Sequence, residues 1–494
     1  MKLQLIGHNE KYALEQSLLT LFPDERPVYG AVAPEDGRWA VVTREEDASR
    51  VAFVTELCYD GKTARCSYGC PLSGDEYARE GQRRHALGLS FFGAAKDALG
   101  VAPPWGSLTG VRPTKVALAL LREGGRAFAE RELEETYAVT PARRRLVLEA
   151  AEAGLRAAQA LDARDVSLYV GIPFCPTRCA YCSFVSQSVE KTLGMVEPYL
   201  DALCAEIAAA GETLRAAGLR VKTFYMGGGT PTTLSAPQLD RLLAALERSF
   251  DLSRLAERTV EAGRPDTITE DKLAALRDHG VTRLSVNPQT MDDAVLAAIG
   301  RRHTADDVRR AMALVKAAGF AHVNMDLIAG LTGDSPAGFA ASLRECLSLG
   351  ADNITVHTLS LKKGSRLTLS QDAPDGRVPG APAVAQMLDY ADGALRTNGY
   401  APYYLYRQKY MSGSFENVGW TLPGAACLYN VCIMEELHGI LSLGAGGSTK
   451  MVGGGLIRRA FNAKYPKEYI ERPEKWRANL DAFAAFYRNL SERS

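Results

Sequence analysis

The sequence lacks an excess of either charge: 58 lysines and arginines stand against 58 aspartates and glutamates over 494 residues. Proteins that hold nucleic acid or anionic membrane through bulk charge carry a basic surplus, so neither partner explains this chain. Long hydrophobic runs are also missing. No apolar stretch approaches the roughly 20 residues needed to cross a bilayer, and the opening MKLQLIGHNEKYALEQ soon turns polar, unlike a signal peptide. A cytoplasmic protein is expected. Ten cysteines are too sparse for a disulfide scaffold, which a reducing compartment would not sustain. Clustered cysteines therefore read as metal ligands or reactive thiols. Internal repeats and low-complexity tracts are absent too. What remains is globular, with 46% hydrophobic and 23% charged residues, and too long for a single core.

Three regions are expected: an α+β domain over 1–160, an α/β domain over 161–372, and a mixed C-terminal region over 373–494. In the first, Leu14, Leu18, Leu21 and Phe22 suggest a helix. Strand-like runs PVYGAVA (27–33), RWAVVT (38–43) and RVAFVTEL (50–57) follow, separated by turn residues, and predict an antiparallel meander. Helical stretches are expected near 76–98, 114–136 and 141–161, with the loop WGSLTGVRPTK (105–115) between the first two. From 167 onward six short β-branched runs alternate with alanine- and leucine-rich helices: SLYVGI, KTFYMG, RTVEAG, TRLSVN, HVNMDLI and NITVHTL. Such alternation implies parallel pairing, and six units rather than eight predict an incomplete (β/α)6 barrel. Functional groups belong at the C-terminal ends of such strands.

Directly after the first of these strands comes GIPFCPTRCAYCSF (171–184), which sets Cys175, Cys179 and Cys182 in CxxxCxxC spacing. Three thiolates on one loop can bind three irons of a cubane cluster and leave the fourth open to a small molecule. The alternatives are a zinc knuckle or core-filling thiols. A closed zinc site needs four ligands, usually from two paired halves, and no second pair follows. Cys66 and Cys70, with Cys58 nearby, repeat the first spacing without a third matching thiol. Cys204, Cys346, Cys427 and Cys432 read as buried hydrophobes. The cysteine loop resembles that of the radical S-adenosylmethionine (SAM) superfamily. The resemblance implies a four-iron four-sulfur cluster whose open iron is chelated by the methionyl end of SAM.

GGGTPT (227–232) follows the second strand, where glycine backbone could approach a ligand closely and its unpaired N–H groups could receive a carboxylate. Glu261 ends strand three, Gln289 lies just past strand four, Arg301 sits in AAIGRRHT and Asp326 in strand five. A carboxylate there could hold ribose hydroxyls, and Arg301 could pair with the methionyl carboxylate. The set resembles the oxygen-independent coproporphyrinogen III oxidase family over roughly 165–460. WGSLTGVRPTK is similar to the coproporphyrinogen dehydrogenase subgroup of anaerobic Gram-positive bacteria. The resemblance implies cofactor contacts at Tyr169, Tyr181, Gly228, Glu261, Gln289, Arg301 and Asp326. Gly229 and Thr230 would touch the cofactor, a second copy of it, or the substrate.

The implied reaction removes hydrogen from a propionate of coproporphyrinogen III and releases carbon dioxide, giving protoporphyrinogen IX after two rounds. Electrons would come from a flavodoxin or ferredoxin. Cations for the substrate carboxylates are sought at Lys362, Lys363 and Arg366, and at Arg407 and Lys409. Two departures stand out. The best-known oxidases carry a further cysteine where this chain has Phe184. Related haem chaperones share that Phe but carry a His-Asn-x-x-Tyr-Trp signature, and here the corresponding stretch is Tyr429-Asn430, without the histidine. Other tetrapyrrole radical enzymes are the remaining alternative.

Overall fold

The computed structural model describes residues 1–22, 25–33, 35–100, 103–182, 187–360, 379–408 and 415–491. It divides into two compact units, Met1–Leu148 with Arg407–Phe415, and Glu149–Tyr406 with Glu416–Ser494. Among the described residues, no helix is long and apolar enough to cross a membrane.

In the first unit five strands lie in the order Val28–Tyr29, Lys2–Ile6, Trp39–Glu46, Arg50–Tyr59 and Lys62–Pro71. Side chains alternate across a strand, so Ala40 and Val42, and then Val51, Phe53 and Leu57, all turn to one buried face. Leu14 and Leu18 from helix Lys11–Leu21, with Leu87, Phe91, Ala94 and Ala95 from helix Glu76–Leu99, cover that face. The longer helix begins where Asp75 accepts the Ala78 N–H at 2.9 Å and ends at Gly100 with φ +69°, the left-handed cap that glycine adopts at least cost.

The expected meander needs correcting. Only the last three strands are antiparallel to one another; Lys2–Ile6 runs parallel to both its neighbours. The run PVYGAVA shrinks to two paired residues, and the edge strand Lys62–Pro71 is a full ten-residue strand. Its mixture of Thr, Arg, Ser, Tyr and Cys hid it, because an edge strand needs few large apolar side chains. Cys66 and Cys70 pack on the core from this strand. The expected helices are Glu76–Leu99, Pro113–Glu135 and Pro141–Gln159, the second broken at Gly125.

The second unit is built on six strands that pair in chain order, each parallel to the next: Asp165–Ile172, Arg220–Gly228, Glu257–Glu261, Arg283–Ser285, His322–Ala329 and Asn353–Thr358. A seventh parallel strand, Gly439–Leu443, lies beside the first. Antiparallel strands extend both margins into an eleven-stranded sheet that does not close, so the partial barrel is confirmed and gains one parallel strand. Helices return the chain between strands. Two of them, Ala236–Ser249 and Ala305–Ala317, start in capping boxes at Ser235/Gln238 and Thr304/Asp307.

One buried carboxylate places the C-terminal helix Leu428–Glu435. Glu257, on the third strand, accepts the N–H groups of Leu428 at 3.0 Å and Tyr429 at 2.7 Å and the Cys427 thiol at 3.2 Å. An anion there meets otherwise unpaired donors, and Tyr429 is held inside the unit. Cys346, Cys427 and Cys432 are buried as expected, while Cys204 is half-buried.

Helix Glu76–Leu99 approaches its sheet most closely at Gly93, where a Cβ would stand 2.3 Å from the Cys66 sulfur. Gly93→Ala should lower stability by about 1–3 kcal/mol, and adding Cys66→Ala should restore part of it. Denaturant titration checks both; equal stability of the Gly93→Ala and native proteins would show that the helix shifts freely.

Candidate functional site

The first barrel strand delivers the cysteine loop. After Pro173 the chain pairs Phe174–Cys175 with Gln187–Ser188. The Ala180 N–H donates to Ile299 O at 2.9 Å, and the Cys182 N–H to Cys179 O at 3.2 Å. Cys179 is buried, and Cys175 and Cys182 are half-buried. Donors point at the sulfurs: Thr230 Oγ1 lies 3.5 Å from Cys175 Sγ, and Arg264 Nη1 lies 3.9 Å from Cys179 Sγ and 3.0 Å from Thr177 Oγ1. Arg264 is only 2% exposed. Among the described residues, no three His, Cys, Asp or Glu side chains gather closely enough to hold a single metal ion. Thiolates that take different corners of a cubane need not converge on one point.

The glycine turn is locked onto this loop. The Gly229 N–H donates to Ile172 O at 2.7 Å and the Thr230 N–H to Phe174 O at 2.8 Å. A Cβ at Gly229 would come within 2.5 Å of Phe174 O, and Gly228 has φ +106°, so neither position accepts a side chain without strain. The nearby Gly228 amide draws the Glu261 pKa down. This corrects one expectation: the amides of Gly229 and Thr230 are already committed, and the turn there offers a ligand space rather than free donors.

Two carboxylates flank the mouth in opposite states. Glu261 accepts the Tyr225 hydroxyl at 2.6 Å, yet burial, assisted by the nearby Asp326, pushes its pKa up to about 7. Asp326 is drawn below its ordinary value. Burial would raise it, but His357, with Nε2 3.7 Å away, Asn324 Nδ2 at 2.8 Å and Thr355 outweigh that. Tyr169 stacks with Tyr225 at 6.2 Å and 15°, and Tyr429 lies over Tyr225 at 4.5 Å and 22°. Burial raises all three phenols.

Arg301 donates to Asn287 O at 2.5 Å, Gly263 O at 3.3 Å and the Tyr181 hydroxyl at 3.2 Å. Burial opposes its charge, but Tyr181 and Cys179 more than offset that. Its Nε and the Oδ1 of Asn287 are buried without a hydrogen-bond partner among the described residues. Gln289 has φ +72°, which is unusual for a residue with a side chain. It is fixed there by Gln289 N–H to Asp326 O at 2.9 Å and Ile328 N–H to Gln289 O at 3.0 Å. Strained backbone of this kind persists where the surroundings over-determine it, often at functional sites.

The expected residues thus fall into two neighbouring groups. The three cysteines with Thr230, Tyr181 and Arg301 form one; Tyr169, Gly228, Glu261 and Asp326 form the other; and Gln289 is tied to Asp326. Sequence reasoning missed Arg264, Tyr225, Asn287 and His357, each at or near the C-terminal end of a barrel strand. Phe184, Lys362, Lys363, Arg366 and Lys409 lie outside the described residues. Arg407, sought as a cation for substrate, is instead committed to the loop Trp105–Val111. Its N–H donates to Val111 O at 2.7 Å, its guanidinium to Leu108 O, and it stands 5.5 Å over the Trp105 ring.

Residues 169–346 match the radical SAM superfamily. The chain is 39% identical to the oxygen-independent coproporphyrinogen-III oxidase-like protein HemZ of Bacillus subtilis, over 96% of both chains. The chain belongs to this radical SAM coproporphyrinogen oxidase family. It is also 33% identical to the heme chaperone HemW of Lactococcus lactis, over 58% of this chain and 70% of that protein. Coproporphyrinogen III oxidase (HemN) from Escherichia coli, a radical SAM enzyme, superposes with a TM-score of 0.52 at 25% identity, covering 65% of this chain and 72% of that one. The family is tetrapyrrole-related, and its superfamily uses a four-iron four-sulfur cluster with SAM. The residues present fit that pair: three thiols on one loop, Cys175 and Cys179 met by donors, beside a polar mouth with unsatisfied Arg301 Nε and Asn287 Oδ1.

A carboxyl whose pKa rises on folding favours the fold below its unfolded value, near 4.5, and loses that contribution as pH climbs toward about 7. In the cofactor-free protein, Glu261→Gln should therefore flatten the fall of stability between those values, by on the order of 3 kcal/mol at most. Melting temperature against pH reads this; an unchanged slope would mean that Glu261 is already ionised at pH 5.

Proposed function

We propose that the protein catalyses oxidative decarboxylation of two propionate side chains of coproporphyrinogen III to vinyl groups, forming protoporphyrinogen IX. The observation that carries this reading is the glycine turn locked onto the cysteine loop, with Glu261, Gln289 and Asp326 at or near the ends of the neighbouring strands, on a chain aligned almost end to end with an oxidase-like relative. Cys175, Cys179 and Cys182 ligate three irons. Tyr169, Tyr181, Gly228, Gly229, Thr230, Glu261, Gln289, Arg301 and Asp326 surround the cofactor.

When bound, the cluster and SAM supply a 5′-deoxyadenosyl radical. The chain's residues bind and align. Arg301 Nε would meet an anionic group of the cofactor, Glu261 would accept hydroxyl hydrogens, and the bare glycines at 228 and 229 would permit close approach. Each round takes one hydrogen atom, which leaves in 5′-deoxyadenosine, and one carbon dioxide from the substrate, and passes one electron to an external one-electron acceptor.

Tyr429 supports decarboxylation over haem carriage. It occupies the place of the chaperones' histidine, offers no imidazole nitrogen, and is buried in the tyrosine stack.

Anaerobic reconstitution with iron and sulfide, then reductant, SAM and coproporphyrinogen III, should yield 5′-deoxyadenosine and tetrapyrrole that has lost carbon dioxide, read by mass spectrometry. Tight haem binding with intact propionates would place the chain with the chaperones instead. Cys179→Ala should abolish the cluster's visible absorbance and most bound iron; an iron content equal to that of the native protein would overturn the ligand assignment.

A further inference from the structure

The strand Leu456–Phe461 forms the outer margin of the eleven-stranded sheet. An unpaired edge is ordinarily blunted or covered. This one carries Leu456, Ile457 and Phe461 at 46%, 42% and 64% exposure, with Tyr465 at 51% just beyond. Cations are set among them: Arg458 and Lys464 are exposed, and Arg459 is paired with Glu436 at 2.8 Å. Over 456–477 there are seven basic and three acidic residues, in a chain whose total charge is zero. An apolar centre bordered by a surplus of one sign of charge is a recognition surface for a partner of the opposite sign.

The patch is joined to the cysteine loop by a short buried network. Glu206 accepts the Asn462 side-chain amide at 2.7 Å, the Gly444 N–H at 2.7 Å and the Tyr469 hydroxyl. Tyr199 accepts the Ala445 N–H at 3.0 Å and donates to Gly171 O at 2.6 Å. Rings step from Tyr469 to Tyr199 at 5.2 Å and from Tyr199 to Phe174 at 5.3 Å. Phe174 immediately precedes Cys175. A buried path of hydrogen bonds and packed rings therefore leads from beneath the edge to the residue before the first cluster cysteine.

We propose that this edge, with Lys464 and Tyr465, docks a small acidic one-electron carrier protein that reduces the cluster. One electron leaves the reduced carrier and enters the oxidised cluster; no bond forms or breaks. A second copy of this chain is the less favoured occupant. Antiparallel pairing about the strand centre would set Arg458 and Arg459 of one copy against those of the other, and like charges facing across a strand pair repel. The inference rests on the family's cluster and not on the identity of the substrate.

The test uses full-length reconstituted protein with reduced flavodoxin as the probe, and substrate is left out. The double variant Arg458→Glu/Lys464→Glu should raise the flavodoxin Kd at least tenfold at low salt and slow cluster reduction by flavodoxin in proportion. Reduction by dithionite should keep its native rate. Phe461→Ser should weaken flavodoxin binding without the same salt dependence. Unchanged flavodoxin affinity in these variants, or equal loss with dithionite, would overturn the docking role. So would a native dimer that Phe461→Ser dissociates, which would give the edge to a second copy. Failure to convert coproporphyrinogen would leave binding and cluster reduction readable.

Discussion

Two main-chain hydrogen bonds, from Gly229 to Ile172 and from Thr230 to Phe174, fasten the end of the second barrel strand to the loop that carries the cysteines. The parallel register brings Gly227 beside Gly171 and Gly228 beside Ile172, and a Cβ at Gly229 would force the two segments apart. The separation between thiols and glycine turn is therefore set by backbone, the least adjustable part of a protein. Side chains refine what the backbone fixes. Thr230 reaches Cys175 because its own N–H is pinned, and buried Arg264 reaches Cys179 from the end of strand three. A site built this way is organised before any cofactor arrives.

The same framework explains why two carboxylates at one mouth differ. Tyr169 and Tyr225 are register partners on adjacent strands, and the capping of helix Leu428–Glu435 by Glu257 brings Tyr429 against them. These rings strip water from Glu261, and the Tyr225 hydroxyl and the nearby Gly228 amide do not compensate. Asp326 sits among an imidazole, an amide and a hydroxyl, and stays charged. Near neutrality one group can hold a proton while the other cannot, a division set by surroundings rather than residue type.

Strand-after-helix alternation and the cysteine spacing were legible because each rests on local periodicity: all six expected barrel strands exist within a few residues of their anticipated ends. The seventh parallel strand, Gly439–Leu443, was hidden because its partner is the first strand, far away in sequence. Lys2–Ile6 escaped for a similar reason, since it pairs with residues 28–29 and 39–43. The glycine turn was found, but its amides were misjudged: composition shows that backbone can come close and does not show which acceptor it meets. Arg264 and His357 had signals only in their positions near strand ends. Arg407 looked like a solvent cation because its acceptors, Leu108 and Val111, lie some 300 residues earlier.

Net charge illustrates the limit from the other side. A sum of zero over the chain argues against bulk attraction to nucleic acid or membrane, yet it averages over a length far greater than the Debye screening distance of about 8 Å at physiological salt. A partner feels only the charge within that range. Leu456–Phe461 and the turn after it set Arg458 and Lys464 on a surface that is also apolar, while Arg459 is already paired with Glu436. The Glu206 and Tyr199 network makes the location matter. It joins the backbone at 444–445 and the Asn462 side chain to the strand end at Gly171, so a contact on the surface and the position of the cysteine loop share one buried support. Local charge, not total charge, decides what such an edge recognises.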